Sequence, residues 1–144
     1  MTKPTPRKLA DYPHHMPIQT RWIDNDVYGH VNNVVYYEYF DTVVNSFLID
    51  QGLLEIGKSE TIGLVVETGC SYFAPISFPE NVTAGLRVAK IGTSSVRYEI
   101  GLFTDAQPNA CAQGHFVHVY VDAASRKPKP LSADMRSILE GIKP

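Results

Sequence analysis

The chain has 144 residues, of which 44% are hydrophobic, the size and apolar content of a single globular domain over 1–144 with one core. A formal net charge of −2 gives no electrostatic basis for holding nucleic acid or an acidic membrane surface, so neither partner is expected. No apolar run approaches the ~20 residues of a membrane span, and the first residues lack the apolar stretch of a secretion signal, so a cytoplasmic protein is expected.

Residues 1–14 are rich in Pro and Lys and read as a loose arm. Met16 to Trp22 alternates Met16, Ile18, Thr20 and Trp22 against Pro17, Gln19 and Arg21, a first strand. A polar turn with Asp24, Asp26, Gly29 and His30 follows and leads into the longest helical pattern in the chain. From Asn33 to Leu48 the polar residues Glu38, Asp41, Thr42, Asn45 and Ser46 recur at helical spacing, and apolar or aromatic residues lie between them. So wide an apolar surface predicts a helix covered over most of its circumference. Gly52 ends it, and Leu53 to Glu60 connects onward.

Four extended segments come next. Thr61 to Ala74 places Ile62, Leu64, Val66, Thr68, Cys70 and Tyr72 on one side. Asn81 to Ile91 sets Val82, Ala84, Leu86 and Val88 against Thr83, Gly85 and Arg87. Ser95 to Thr104 alternates Val96, Tyr98, Ile100 and Leu102 with Arg97, Glu99 and Phe103. Ala110 to Asp122 sets His115, Val117, Val119 and Val121 opposite Phe116, His118 and Tyr120. Their junctions are short and rich in turn formers, which favours antiparallel neighbours. A Pro/Lys linker, Arg126 to Pro130, precedes a short helix, Ser132 to Ile142, with Ser132 as its cap. Cys70 and Cys111 form no CxxC pair and read as free, buried thiols.

One helix and one antiparallel sheet bury each other when the sheet wraps the helix, an α+β arrangement. Such a sheet keeps open edges and an outward face, and a homodimer or homotetramer would close them.

The turn carries the chemistry. Asp26 lies seven residues before Asn33, where helix-start N–H groups are free by geometry and favoured by the helix dipole. A carboxylate to attack or to activate water, beside donors for a developing oxyanion, is what hydrolysis at an acyl carbonyl needs. Gly29 lets the backbone turn tightly. The plainer alternative is that Asp24 and Asp26 are turn formers and caps. The turn has the Asp, Asp and Gly of a calcium loop, but Tyr28 and Val35 stand where oxygen ligands belong, which rules out an EF-hand. No metal and no cofactor is expected.

The stretch RWIDNDVYGHVNNVVYYEYFD, with the order of elements, resembles the hotdog-fold acyl-CoA thioesterases of the 4-hydroxybenzoyl-CoA thioesterase-like group. Its sharp part is the Asp-x-Asp-x-x-Gly-x-Val turn followed by a helix with Tyr36, and SYFAPISFPENVTAGLRV is similar to that group's second and third strands. HVNNVVY is also similar to a stretch of plant acyl-carrier-protein thioesterases. The resemblance implies a five-stranded antiparallel sheet around one long helix and hydrolysis of an acyl-CoA thioester to acid and CoA, with the acyl-carrier protein as the other possible carrier. Asp26 matches the catalytic carboxylate, nucleophile or general base, and Asn33 the residue whose backbone N–H polarises the carbonyl. Some bacterial members carry His at the position of Asn33, and some acyl-carrier-protein enzymes carry Asn at that of Tyr28. His30 is a possible assistant, and Tyr28, Gly29 and Tyr36 fall where substrate would lie. Relatives place the turn between the middle strands near the nucleotide, which makes Lys90 and Arg97 the expected phosphate contacts. For the remaining groups the residues favour structure: Asp24 as a hydrogen-bonding turn residue, Tyr37 and Tyr39 as packing, and Cys111, His115 and His118 as core. A hotdog hydratase or dehydratase and a non-catalytic acyl-binding module are the alternative functions.

Overall fold

The computed structural model describes residues 4–144. Its strands are β1 (His14–Gln19), β2 (Thr61–Tyr72), β3 (Asn81–Ile91), β4 (Ser95–Phe103) and β5 (Ala112–Asp122), and its helices are α1 (Asn33–Asp50) and α2 (Ala133–Glu140). The strands form one antiparallel sheet in the order β1-β3-β4-β5-β2, so β1 and β2 are the edges. Pro17 lacks an N–H and is tolerated in β1 because that strand is an edge.

Both ends of α1 are built by local chemistry. The Asn32 side chain caps the start, accepting from the Val34 N–H at 3.0 Å. At the other end Gly52 takes φ +74, and the N–H groups of Gly52 and Leu53 reach back to the carbonyls of Ile49 and Leu48, closing a Schellman cap. Tyr36, Tyr39, Phe40, Val43, Val44, Phe47 and Leu48 are buried against the sheet at three-and-four spacing. The cover is one-sided, contrary to expectation: Val34 is 73% exposed, because a single sheet of this width reaches only one flank of the helix.

β3 and β4 alternate as expected, with Val82, Ala84, Leu86, Val88, Val96, Tyr98, Ile100 and Leu102 fully buried in the core beneath α1. β2 does not. A bulge between Val65 and Glu67 inserts one residue, so the alternation changes phase there. Val65 pairs with His118 and Thr68 with Phe116, while Ile62 and Leu64 pair with Val121 and Val119 on the other side. Phe116, His118 and Tyr120 are the buried side of β5, and Gly114 makes room among them for Phe40.

The first strand also departs from the expected Met16 to Trp22. It ends at Gln19, and Trp22–Asp24 forms a 3-10 turn because the Asp24 carboxylate captures the Arg21 N–H at 2.8 Å and curls the chain. The expected loose arm is docked where the structure describes it; residues 1–3 lie outside. Lys8 bridges to Asn109, and the Tyr12 ring is buried over Gly85 and Gly101, where any Cβ would collide with it. Two glycines side by side on the outer face leave a hollow, and the ring fills it. α2 starts at the Ser132 cap and buries Met135 and Leu139. Cys70 and Cys111 are free thiols. No helix among the described residues is long and apolar enough to cross a membrane.

His118 is a buried base in this core, 3% exposed. Burial pushes its pKa from 6.5 down to about 4, opposed weakly by the charge of Asp41. An unfolded chain therefore binds more protons than the folded one between those two values, and stability falls as pH drops through that window. The slope is about 1.4 kcal/mol per pH unit and the total is on the order of 3 kcal/mol. Urea unfolding near pH 7 and about pH 5 should show this loss in the wild type and a smaller one in His118→Phe. Equal losses would assign the acid sensitivity to other groups.

Candidate active site

The turn before α1 is a tight hairpin loop. The Asp26 N–H donates to the His30 carbonyl at 2.9 Å and the Gly29 N–H to the Asp26 carbonyl at 3.1 Å, with Gly29 at φ +81. This is a three-residue loop whose last position is left-handed, the seat that glycine fills without strain. Asp26 Oδ1 accepts from the Tyr28 N–H at 2.9 Å, which fixes the carboxylate and leaves its second oxygen without a protein donor among the described residues.

The loop is held from outside as well. Val31 donates to the Ile76 carbonyl at 2.7 Å, the Ser77 hydroxyl to the Gly29 carbonyl at 2.9 Å, and the Phe78 N–H to Asn25 Oδ1 at 3.0 Å. Asp24 anchors it beneath, buried, with Oδ2 accepting from the Tyr39 hydroxyl at 2.6 Å and Oδ1 paired with the Arg21 guanidinium at 2.9 Å. Burial alone would raise the Asp24 pKa. The Tyr39 hydroxyl and the Arg21 N–H and guanidinium outweigh it and hold the carboxyl below its ordinary value. Asp24 is thus the structural member of the pair, and its side chain turns inward from the 3-10 turn.

Beside the loop lies a cleft of about 310 Å³ lined by His30, Val31, Asn33, Tyr36 and Tyr72, with Phe73, Ala74 and Pro75 on its far wall. At the helix start Asn32 occupies the Val34 and Val35 N–H groups, with its side chain and its carbonyl. The Asn33 N–H has no acceptor among the described residues. The Tyr72 hydroxyl donates to the Asn33 carbonyl at 3.2 Å, and its ring meets Tyr36 edge-on at 4.9 Å. Burial pushes Tyr36 up to about 12 and Tyr72 higher still, so both are neutral hydrogen-bonding walls at neutral pH. Cys70 is raised to about 11 by burial and is no thiolate.

Of the residues singled out in the sequence, His30, Asn33 and Tyr36 line this cleft, Asp26 stands in the adjoining loop, and Tyr28 and Gly29 are exposed at its tip. Lys90 and Arg97 are elsewhere. They pair with each other across β3 and β4 near the turn that faces the far end of α1, on the outer face of the sheet, where Arg97 binds Glu99 at 3.1 Å. Tyr72 and the 73–75 segment are the cleft residues that sequence reasoning missed, the only signal being an aromatic at a strand end before Pro75. Among the described residues no group of three or more His, Cys, Asp and Glu is placed to hold a metal.

A long helix laid on one face of a five-stranded antiparallel sheet, with a loop carboxylate at the helix start, is the hotdog fold of the thioesterases. The chain belongs to the thioesterase-like superfamily, whose family model matches residues 19–139, and it is a thioester hydrolase. It is similar to the PA5185 protein from Pseudomonas aeruginosa, at 50% identity and a TM-score of 0.92 over 96% of this chain and 97% of that one. A thioesterase from Thermus thermophilus, solved with coenzyme A and Zn, is 26% identical with a TM-score of 0.76 over 90% of this chain and 94% of its own. Slr0204 of Synechocystis, a 1,4-dihydroxy-2-naphthoyl-CoA thioesterase, shares the fold at 16% identity, with a TM-score of 0.78 over 87% of this chain and 93% of its own.

Proposed function

We propose that the protein hydrolyses an acyl-CoA thioester to the free acid and CoA, with Asp26 as nucleophile or general base and the Asn33 N–H as oxyanion donor. The observation that carries this is the unengaged Asn33 N–H at the rim of a cleft flanked by the Asp26 carboxylate. Every other early N–H of α1 that the cap can reach is taken, so the remaining donor is positioned for a ligand oxygen. In the reaction the thioester carbonyl oxygen accepts from that N–H. Asp26 then adds to the carbonyl carbon, giving an anhydride that water opens, or takes a proton from the attacking water, and CoA leaves as the thiol. His30, on the cleft wall, is placed to contact the thioester end, and Tyr28 and Gly29 bound its entrance. The complex of the Thermus relative with coenzyme A supports CoA as the carrier.

A panel of acyl-CoA and acyl-carrier-protein thioesters, followed by release of free thiol, tests the reading directly. Turnover of none of them would favour a binding module, and hydration of an enoyl thioester without thiol release a hydratase.

The active assembly in this proposal is a dimer, or two dimers joined. β2 is an edge strand with Val65 47% and Val66 60% exposed, next to the uncovered Val34 of α1. An edge so apolar is a template for pairing with a second copy. Sedimentation is expected to show no stable monomer at micromolar concentration. A well-folded monomer there would sink the assembly. Lys90 and Arg97 can contact the nucleotide's phosphates in this scheme only where it reaches from one protomer's cleft to another protomer's sheet end. Replacing both with Ala should then raise KM for acyl-CoA and spare a short thioester without the nucleotide.

A further inference from the structure

Two further hollows lie along the uncovered flank of α1, separate from the cleft. The first is an open groove walled by Val34, Tyr37, Glu38 and Asp41 of α1, by Val65 of β2 and by Phe116 of β5. The second, further along α1 where Gly63 pairs with Tyr120, is a narrower hollow of about 80 Å³. Leu48, Leu53 and Leu54 make this hollow apolar, but Asn45, His118 and Tyr120 line it as well.

These polar groups are not explained by packing. The buried Tyr98 hydroxyl lies 2.7 Å from that of Tyr120, which lies 3.4 Å from His118 Nδ1. That chain uses one face of the imidazole. His118 Nε2 is buried and has no hydrogen-bond partner among the described residues. Asn45 donates its amide to the Asp41 carbonyl at 2.9 Å and to Asp41 Oδ1 at 3.0 Å, so its own Oδ1 remains to accept. Gly63 makes room for the two rings, since a Cβ there would stand 2.8 Å from His118 Nδ1 and 3.0 Å from the Tyr120 ring. A buried polar atom without a partner is costly, and an apolar pocket lined by a residue that carries one is matched to a ligand with the complement.

We propose that an acyl chain runs from the cleft along this groove into the hollow, where His118, Tyr120 and Asn45 select a long acyl group carrying a hydroxyl at its far end. The proposal deepens the acyl-CoA thioesterase reading and rests on it. A hydroxyl is the group chosen because the tyrosine pair can run in either direction. With Tyr98 donating to Tyr120 and Tyr120 to Nδ1, Nε2 carries the proton and donates; in the reverse order Nε2 accepts. A hydroxyl satisfies both states and can also donate to Asn45 Oδ1. A charged terminus is disfavoured, because no Lys or Arg lines the space and an ion there would be desolvated unpaired. From Asn33 to Asn45 the helix rises about 18 Å, which sets the reach required of the acyl chain.

The test compares kcat/KM, read by thiol release, for a long-chain ω-hydroxyacyl-CoA and for the plain acyl-CoA of equal carbon number. The wild type should prefer the hydroxylated ester by roughly tenfold or more. His118→Phe should bring the ratio to about one or invert it, and Tyr120→Phe, which removes the partner that orients the ring, should lower it. A wild-type ratio near one, or a ratio that His118→Phe leaves unchanged, overturns the proposal. A second readout on the wild type does not depend on turnover or on the folding of a variant. The His118 ring nitrogen resonances should shift on titration with the free ω-hydroxy fatty acid more than with the plain fatty acid, and equal or absent shifts overturn the pocket. If neither ester is cleaved while the ring responds selectively to the hydroxy acid, the thioesterase reading of the cleft fails and the pocket stands.

Discussion

Asp26→Asn is expected to abolish most turnover, with a loss of roughly a hundredfold or more in kcat, while the protein stays folded and still binds acyl-CoA. The substitution preserves the size of the side chain and keeps an oxygen for the Tyr28 N–H, so the Asx turn that shapes the loop survives. What it removes is charge and nucleophilicity on the second oxygen. Asp24→Asn is the control that separates chemistry from architecture. Asp24 is buried against Tyr39 and Arg21, so its replacement should lower thermal stability and disturb the loop through the fold. Near-normal hydrolysis by a folded Asp26→Asn protein would refute the proposed role.

The parts of the fold that could be read beforehand are those in which one periodicity runs without interruption. β3 from Val82 to Val88 and β4 from Val96 to Leu102 turn every second side chain into the core, and α1 carries its buried residues at helical spacing between two recognisable caps. β2 defeated the same reasoning because a bulge at Val66 changes the phase partway, and a single inserted residue leaves no mark in composition. β1 was displaced by a side-chain event, the grip of Asp24 on Arg21, which alternation cannot express. The docking of Tyr12 depends on Gly85 and Gly101 becoming neighbours across two strands, a coincidence of register.

The site divides in the same way. Asp26, Gly29 and Asn33 are close in sequence and their spacing shows a loop running into a helix start. Tyr72 meets Asn33 from 39 residues away, and His118 Nε2 is buried without a hydrogen-bond partner among the described residues only once the sheet sets it under α1. Contacts of that kind depend on the closed fold.

The tightest fit in that fold lies where Phe40 of α1 sits over Gly114 of β5. Phe40 is fully buried, and a Cβ on Gly114 would lie 2.2 Å from its ring. Phe40→Ala should cost about 3–5 kcal/mol, the loss of an aromatic from a close-packed interior plus the cavity it leaves. Gly114→Ala should cost about 1–3 kcal/mol for the opposite reason, because the new methyl displaces the ring and through it the helix. The two changes share one space, so they should not add. In Phe40→Ala/Gly114→Ala the methyl enters the cavity, and the double variant should be more stable than the sum of the single losses predicts by roughly 1 kcal/mol or more. Chemical denaturation of the four proteins closes this cycle. Strict additivity would mean that the helix and the strand do not meet at this pair, and the packing of α1 on β5 would have to be redrawn.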